Sequence, residues 1–270
     1  MNPLYSIKKQ FLPILAIALF LGACSNDFTN RPSEDTILLD SYYATDQQVS
    51  TATNAMYNRT WFQFHNKFFF AIAEIGSGNM MSYSSDVNAM RNFSITGSDA
   101  ELLAGWQSLW ANVAQANSII NYLEQRVGPN VSEDVLQNTI GEAYFMRATA
   151  YFYLVRLWGP VPIIENNVNF ASAPLINTNR VEDIYQLIER DYQQAIDRLY
   201  DRVRTGNYTD NAKVTKGSAK SMLAKVYLYQ QKYSDARAMA EDVISSGEFK
   251  LLGGSQLPGK SFADLFTYPN

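Results

Sequence analysis

The stretch that decides the fold is Glu142-Ala143-Tyr144-Phe145-Met146-Arg147-Ala148-Thr149-Ala150-Tyr151-Phe152-Tyr153-Leu154-Val155-Arg156-Leu157-Trp158-Gly159-Pro160. Its apolar residues recur at three- and four-residue steps. Together with Ile140, the residues Ala143, Tyr144, Ala148, Tyr151, Phe152 and Val155 cover too wide an arc for a single buried face. A helix apolar over that much of its circumference has to be covered from two sides. Ser132 marks its start, with Glu133 and Asp134 suited to the positive end of the helix dipole. Gly159-Pro160 ends it. The pattern predicts one long helix, about 132–158, sandwiched between others.

The neighbours follow on both sides. Leu102, Trp106, Leu109, Trp110, Val113, Ala116, Ile120 and Leu123 mark one buried helix face. Ser98-Asp99-Ala100-Glu101 in front of them has capping-box spacing, and Gly128-Pro129 stops the run. Beyond the long helix, Ile184, Leu187, Ile188, Tyr192, Ala195 and Leu199 mark a third strong helix. Two more are predicted at about 216–230 and 235–246, with Thr215 and Ser234 as caps and Gly247 as terminator. A shorter helix is predicted from Asp46, as its cap, to about Asn58. Residues 59–98 read as irregular, with Gly76, Gly78, Gly97 and many Ser and Asn; 159–179 reads as a Pro- and Asn-rich connection. No alternating strand pattern stands out, so the class is all-α. Leu223, Ala224, Tyr227, Ala236 and Ala240 fall at tetratricopeptide spacings, and Ala148 and Tyr151 repeat the Ala-x-x-Tyr step. Such helix pairs cannot bury their faces alone and must stack on neighbours.

The N-terminus carries a different signal. Lys8 and Lys9 precede an apolar run from Phe11 to Ala23, short of the roughly 20 residues that span a bilayer. The run ends in Leu21-Gly22-Ala23-Cys24, small residues and then the chain's one cysteine. That arrangement resembles the lipobox of bacterial lipoproteins, which implies a signal peptide over 1–23, lipidation of Cys24, and a polar tether over 24–45. Two or more acyl chains hold a protein stably at a membrane surface. The organisation predicted for the rest is one helical domain over 46–270.

Composition narrows the function. Acidic residues number 26 against 22 basic ones, and removal of 1–23 takes Lys8 and Lys9 from the basic count. That balance argues against nucleic acid, whose phosphates call for clustered Lys and Arg. The 17 Tyr, 15 Phe and 4 Trp supply both core and binding surfaces. His65 is the single histidine, so a His-based metal cluster is excluded and a Ser-His-Asp triad has one possible base. In Phe64-His65-Asn66-Lys67 a packing or exposed role is favoured over a catalytic one. Gly76-Ser77-Gly78 lacks the strand–helix context of a phosphate loop. Among the acids no pair stands out as a glycosidase couple. Catalysis, metal and cofactor are not predicted.

Glu142 to Ala148 and Tyr151 to Pro162, taken together, resemble the central signature of the SusD/RagB family. Three further segments resemble it in the same order. They are Trp106 with Ala116-Asn117-Ser118-Ile119-Ile120, Arg180 with Ile184-Tyr185, Asp191, Ala195 and Leu199, and Val214-Thr215-Lys216-Gly217-Ser218-Ala219 with Leu223 to Tyr229. The resemblance implies a lipid-anchored protein on the outer face of the outer membrane. Its partner would be a SusC-like TonB-dependent transporter, and it would capture glycans, or in some members peptides, for uptake. It also implies a tetratricopeptide-like scaffold with the ligand face on loops and on a more variable second half. Family members run to about twice this length, so the chain is expected to be an N-terminal half, truncated after Asn270.

Candidate ligand residues lie off the helix stripes, in 76–98. Asn79, Tyr83, Asp86, Asn88, Arg91, Asn92 and Phe93 supply the mix that sugars require. A sugar's apolar face stacks on a ring while its hydroxyls pair with amides, carboxylates and guanidinium groups. The plain alternative is an ordinary polar loop. Trp106 and Trp110, on a buried stripe, are assigned to packing, and Trp158, beside Gly159-Pro160, to structure. Trp61, Phe62 and Phe64 are candidates for a face toward the transporter or the absent half. Three other readings stay open: a tetratricopeptide adaptor gripping a protein at the outer membrane, a surface glycosidase, and a non-functional truncated member.

Overall fold

The computed structural model describes residues 42–59, 64–173, 176–201, 213–249, 251, 258–259 and 261–265. Cys24, the predicted signal stretch, most of the tether, Trp61 and Phe62 lie outside them. Among the described residues there is no strand, and no helix is long and apolar enough to cross a membrane.

The chain opens with two short helices, α1 (Asp46–Thr51) and α2 (Asn54–Tyr57). Two π-helical stretches follow at His65–Phe69 and Ala71–Ile75, then a 3-10 turn at Ser85–Val87 running into α3 (Asn88–Arg91). The main body is α4 (Ala100–Tyr122), α5 (Glu133–Trp158), the short α6 (Asn167–Ala171), α7 (Val181–Arg198), α8 (Lys216–Tyr229) and α9 (Tyr233–Ser246). A last 3-10 turn covers Phe262–Leu265. The packing order is α4 on α5, α5 on α7, α7 on α8 and α8 on α9. Each long helix leans on its neighbour, as in a tetratricopeptide-like stack.

The central position of α5 follows from its sequence. Every residue from Phe145 to Phe152 is buried, including Arg147 and Thr149, because α4 covers one side and α7 the other. Arg147 joins all three helices. Its Nε and Nη2 donate to the Asp191 carboxylate on α7 at 2.7 and 2.9 Å, and its Nη1 donates to Asn117 Oδ1 on α4 at 2.8 Å. A second buried knot gathers around Glu142. Its carboxylate accepts from Thr53 Oγ1 (2.6 Å), Tyr57 OH (3.1 Å), Asn138 Nδ2 (2.9 Å) and Lys213 Nζ (3.2 Å). Burial pushes the Glu142 carboxyl above its ordinary range, with Lys213 and then Thr53 pulling it back.

The caps correct several sequence expectations. Asp46 does not cap its own helix: Thr45 does, in a capping box with Gln48. The Asp46 carboxylate instead accepts from Ser132 N–H (2.7 Å) and Ser132 Oγ (3.0 Å), placing negative charge at the start of α5. The predicted helix to Asn58 is broken at Ala52–Thr53, where Thr53 turns its hydroxyl to buried Glu142. Asp99, not Ser98, caps α4 by accepting from Leu102 N–H at 3.0 Å. No side chain caps α9, which starts at Tyr233, before the predicted Ser234 cap. Residues 64–75 are helical, not irregular. Phe64, Phe68, Ala71 and Ile75 are buried from that stretch. Phe64 is wholly buried against Phe68, Phe69 and Tyr153, so it faces no partner. Gly105 of α4 lets this stretch in: a Cβ there would sit 2.2 Å from Phe68 Cδ1.

Candidate functional site

The candidate loop leaves the π-helical stretch at Gly76 and rejoins the stack at the Asp99 cap of α4. Two anchors hold its base. The Glu74 carbonyl accepts from Met80 N–H at 3.0 Å, and the Glu74 carboxylate accepts from Asn79 Nδ2 at 3.3 Å. Lys67 Nζ pairs with Asp86 Oδ2 at 2.6 Å and lies 3.7 Å from Glu101 on α4. Ser84 Oγ donates to the other Asp86 oxygen at 2.5 Å. The Lys67 hydrogen bond, followed by that of Ser84, holds the Asp86 carboxyl below its ordinary range. Asp86 in turn raises the Lys67 ammonium.

The middle of the loop is closed by Arg91, whose Nη1 donates to Ser82 O at 3.0 Å and whose Nε donates to Asn92 Oδ1 at 3.3 Å. This bond ties the segment together one residue from Tyr83 and two from Phe93. Val87 and Met90 point inward and are buried, which pins α3 to the body. Asn88 Oδ1 is buried without a hydrogen-bond partner among the described residues.

The seven predicted residues therefore divide. Asp86 and Arg91 spend their charge on bracing the loop, Asn79 leans on Glu74, and Asn88 is turned inward. Tyr83 is 86% exposed and Phe93 77%, with Asn92 also in solvent. Met80, Met81 and Ile95 add exposed apolar groups to the same loop. The sequence reading missed the two methionines, whose signal was their position beside predicted ligand residues.

A second concave feature lies between α4 and the 162–176 connection. Trp106, Trp110, Val113, Pro162, Ile164 and Phe170 line a largely apolar cavity of about 350 Å³. Both tryptophans also belong to an aromatic series, Phe68 on Trp158, Trp158 on Trp106, Trp106 on Trp110, and Trp110 on Tyr151. Both pack half-buried against the core, on the stripe that the sequence marks, and Trp158 is held by the same rings. Trp110 Nε1 is buried with no hydrogen-bond partner among the described residues, at a T-shaped contact with Tyr151. Asn167, at the rim, is engaged: its Nδ2 donates to Ala114 O (2.8 Å) and its Oδ1 accepts from Asn117 (3.2 Å).

His65 packs edge-on against Phe64, Phe69 and Tyr153, with Nε2 3.2 Å from Tyr153 OH. Among the described residues no group of three or more His, Cys, Asp or Glu side chains is placed to share a metal.

Comparison with known proteins gives the family. Residues 29–228 match a SusD-like family model described as starch-binding, associating with outer membrane. A SusD-like protein of Bacteroides ovatus is 33% identical over 98% of this chain and 48% of its own length. A crystal structure with xylogluco-oligosaccharide is 34% identical, with a TM-score of 0.63 over 76% of this chain and 41% of that one. A laminarin-binding SusD-like protein shares the fold at 23% identity and a TM-score of 0.66, over 78% of this chain and 47% of that one. The chain thus spans about half the length of the relatives it matches. By the match over most of its length, the chain belongs to the SusD/RagB family.

Proposed function

We propose that this protein captures glycans at the bacterial surface and passes them to a SusC-like TonB-dependent transporter, without chemistry of its own. The observation that carries the reading is the loop between Gly76 and Ser98. It holds Tyr83 and Phe93 in water on a braced frame, with amide side chains beside them. An exposed ring gains little from folding, but it offers a flat apolar face to the C–H side of a sugar. The xylogluco-oligosaccharide bound by one relative and the laminarin bound by another support a glycan as the ligand class.

Lipidation at Cys24 fits the same role. A lipid anchor supplies location at the outer membrane, while the helical stack supplies a rigid mount for the loop. The domain reading accompanies it: signal peptide over 1–23, lipidated tether over 24–45, and a helical domain from 46.

The test is calorimetric titration of the full chain with xylogluco-oligosaccharides, laminarin oligosaccharides and a set of peptides. Saturable heat with an oligosaccharide is the expected result. Heat with peptides alone moves the ligand class to peptides, and no heat with either defeats the capture reading. Palmitate labelling that persists in a Cys24→Ala variant would defeat the anchor.

A further inference from the structure

We infer that Phe93 receives the sugar together with Tyr83, and that Phe93 is presented from a backbone position that lowers the stability of the fold. This rests on the glycan reading above. The helix α3 ends at Arg91, and the chain reverses through Asn92, Phe93 and Ser94. Ser94 N–H donates to Ala89 O at 2.9 Å and Phe93 N–H donates to Met90 O at 3.4 Å. These are the two bonds of a Schellman turn, whose left-handed position is usually filled by glycine. Phe93 fills it with φ of 52°. A Cβ in that region crowds the following carbonyl oxygen, a strain glycine escapes.

Two other helix ends show what the turn alone requires. Gly247 closes α9 at φ 68°. Gln231 closes α8 at φ 62°, with the same pair of bonds from Gln231 N–H to Leu228 O and from Lys232 N–H to Tyr227 O. Gln231 carries a polar group into water, which is unremarkable. Phe93 carries a large apolar ring into water at a strained position, and its exposure leaves it little packing to offset the strain. Neither the turn nor the core explains a phenylalanine there. An external apolar surface does.

The surroundings favour a sugar over a protein as that surface. Along the chain the exposed apolar groups Met81, Tyr83, Phe93 and Ile95 alternate with the polar residues Ser82, Asn92 and Ser94. That alternation suits a pyranose, which has C–H faces and hydroxyl edges. Asp86 and Arg91 act behind the rings as positioning residues, since their charged groups are bonded to Lys67, Ser84 and Ser82.

The experiment compares wild type, Phe93→Gly, Phe93→Trp and Gln231→Gly in thermal unfolding and in titration with xylogluco-oligosaccharide and laminarin oligosaccharides. Both glycine variants are expected to unfold at a higher temperature than wild type. Phe93→Gly is expected to weaken oligosaccharide binding by about tenfold or more, while Gln231→Gly leaves it unchanged and Phe93→Trp retains it. Wild-type affinity in Phe93→Gly overturns the inference. So does a lower unfolding temperature for Phe93→Gly with a higher one for Gln231→Gly, which would show the ring packing within the fold. A wild type that binds neither probe removes the glycan reading and this inference with it. Loss of a copurifying transporter in Phe93→Gly, with glycan binding intact, assigns the ring to a protein contact instead.

Discussion

Arg147–Asp191 in the helix stack and Lys67–Asp86 at the base of the loop are ion pairs of nearly equal length, 2.7 and 2.6 Å. Their side chains differ in surroundings: 3% and 0% exposed in the first pair, 50% and 36% in the second. Distance therefore says little about what each pair does. The buried pair is fixed because a lone charge left there is expensive. The loop pair is screened by water and gives up little when broken. The stack is built to hold one arrangement, while the loop is braced only enough to point its rings outward.

The comparison can be broken at the stack first. Arg147→Met leaves buried Asp191 facing the more distant Arg190, 3.9 Å away, and takes the donor from Asn117 Oδ1. It is expected to cost about 3–5 kcal/mol of stability, seen as a large drop in melting temperature by circular dichroism. A small drop would mean that water reaches Asp191. Gly105→Ala comes next, because its Cβ would overlap the Phe68 ring. Overpacking of this kind costs about 1–3 kcal/mol, and denaturant unfolding measures it. A neutral Gly105→Ala would show that the π-helical stretch can slide away from α4.

Acid separates the two regions more gently, and with opposite signs. Asp86 has its carboxyl pulled below the ordinary value by Lys67 and Ser84. Its contribution is present above the unfolded carboxylate value of about 3.9 and is lost as pH falls through the depressed folded value. Glu142 is pushed the other way by burial. Its contribution is fully present below the unfolded value and is lost as pH rises through the raised folded one. Acidification below the carboxylate range should thus weaken the Lys67–Asp86 brace modestly while α5 stays protected. Hydrogen exchange by mass spectrometry at acid pH reads both regions, and earlier loss at α5 would contradict the assignment.

The stack was legible in the sequence because its signal is periodic. The steps through Leu102–Leu123, Ile140–Val155 and Ile184–Leu199 repeat over several turns, and the Gly-Pro breaks bound them. The all-α class and the position of the long helix emerge directly. What failed was local and depended on distant partners. Nothing near Asp46 reveals that its carboxylate serves Ser132, because the two are 86 residues apart. Thr53 leaves its helix for Glu142, 89 residues away. The helical stretch 64–75 was hidden because polar His65, Asn66 and Lys67 and its closing glycines read as loop, although Phe64, Phe68, Ala71 and Ile75 sit at helical steps.

The loop was legible as a composition but not as a geometry. Its rings and amides could be named, yet their roles depend on hydrogen bonds that residue type does not specify. Asp86 and Arg91 look like ligand groups in sequence, and in the fold their charged groups also bond within the loop and its base. Phe93 looks like any aromatic until its φ of 52° is known. Residue type suggested the ligand class, and the backbone conformation of Phe93 sets it apart from the side chains that brace the loop.

The central claim is that exposed rings on this braced loop hold the ligand while the stack behind them stays fixed. Calorimetric titration of wild type and Tyr83→Ala with a xylogluco-oligosaccharide tests it most directly, paired with their melting curves. Tyr83 is 86% exposed, so its truncation should shift stability by no more than about 0.5 kcal/mol. The account predicts matching melting curves and binding weakened by about tenfold in the variant. Equal binding by both proteins would contradict it.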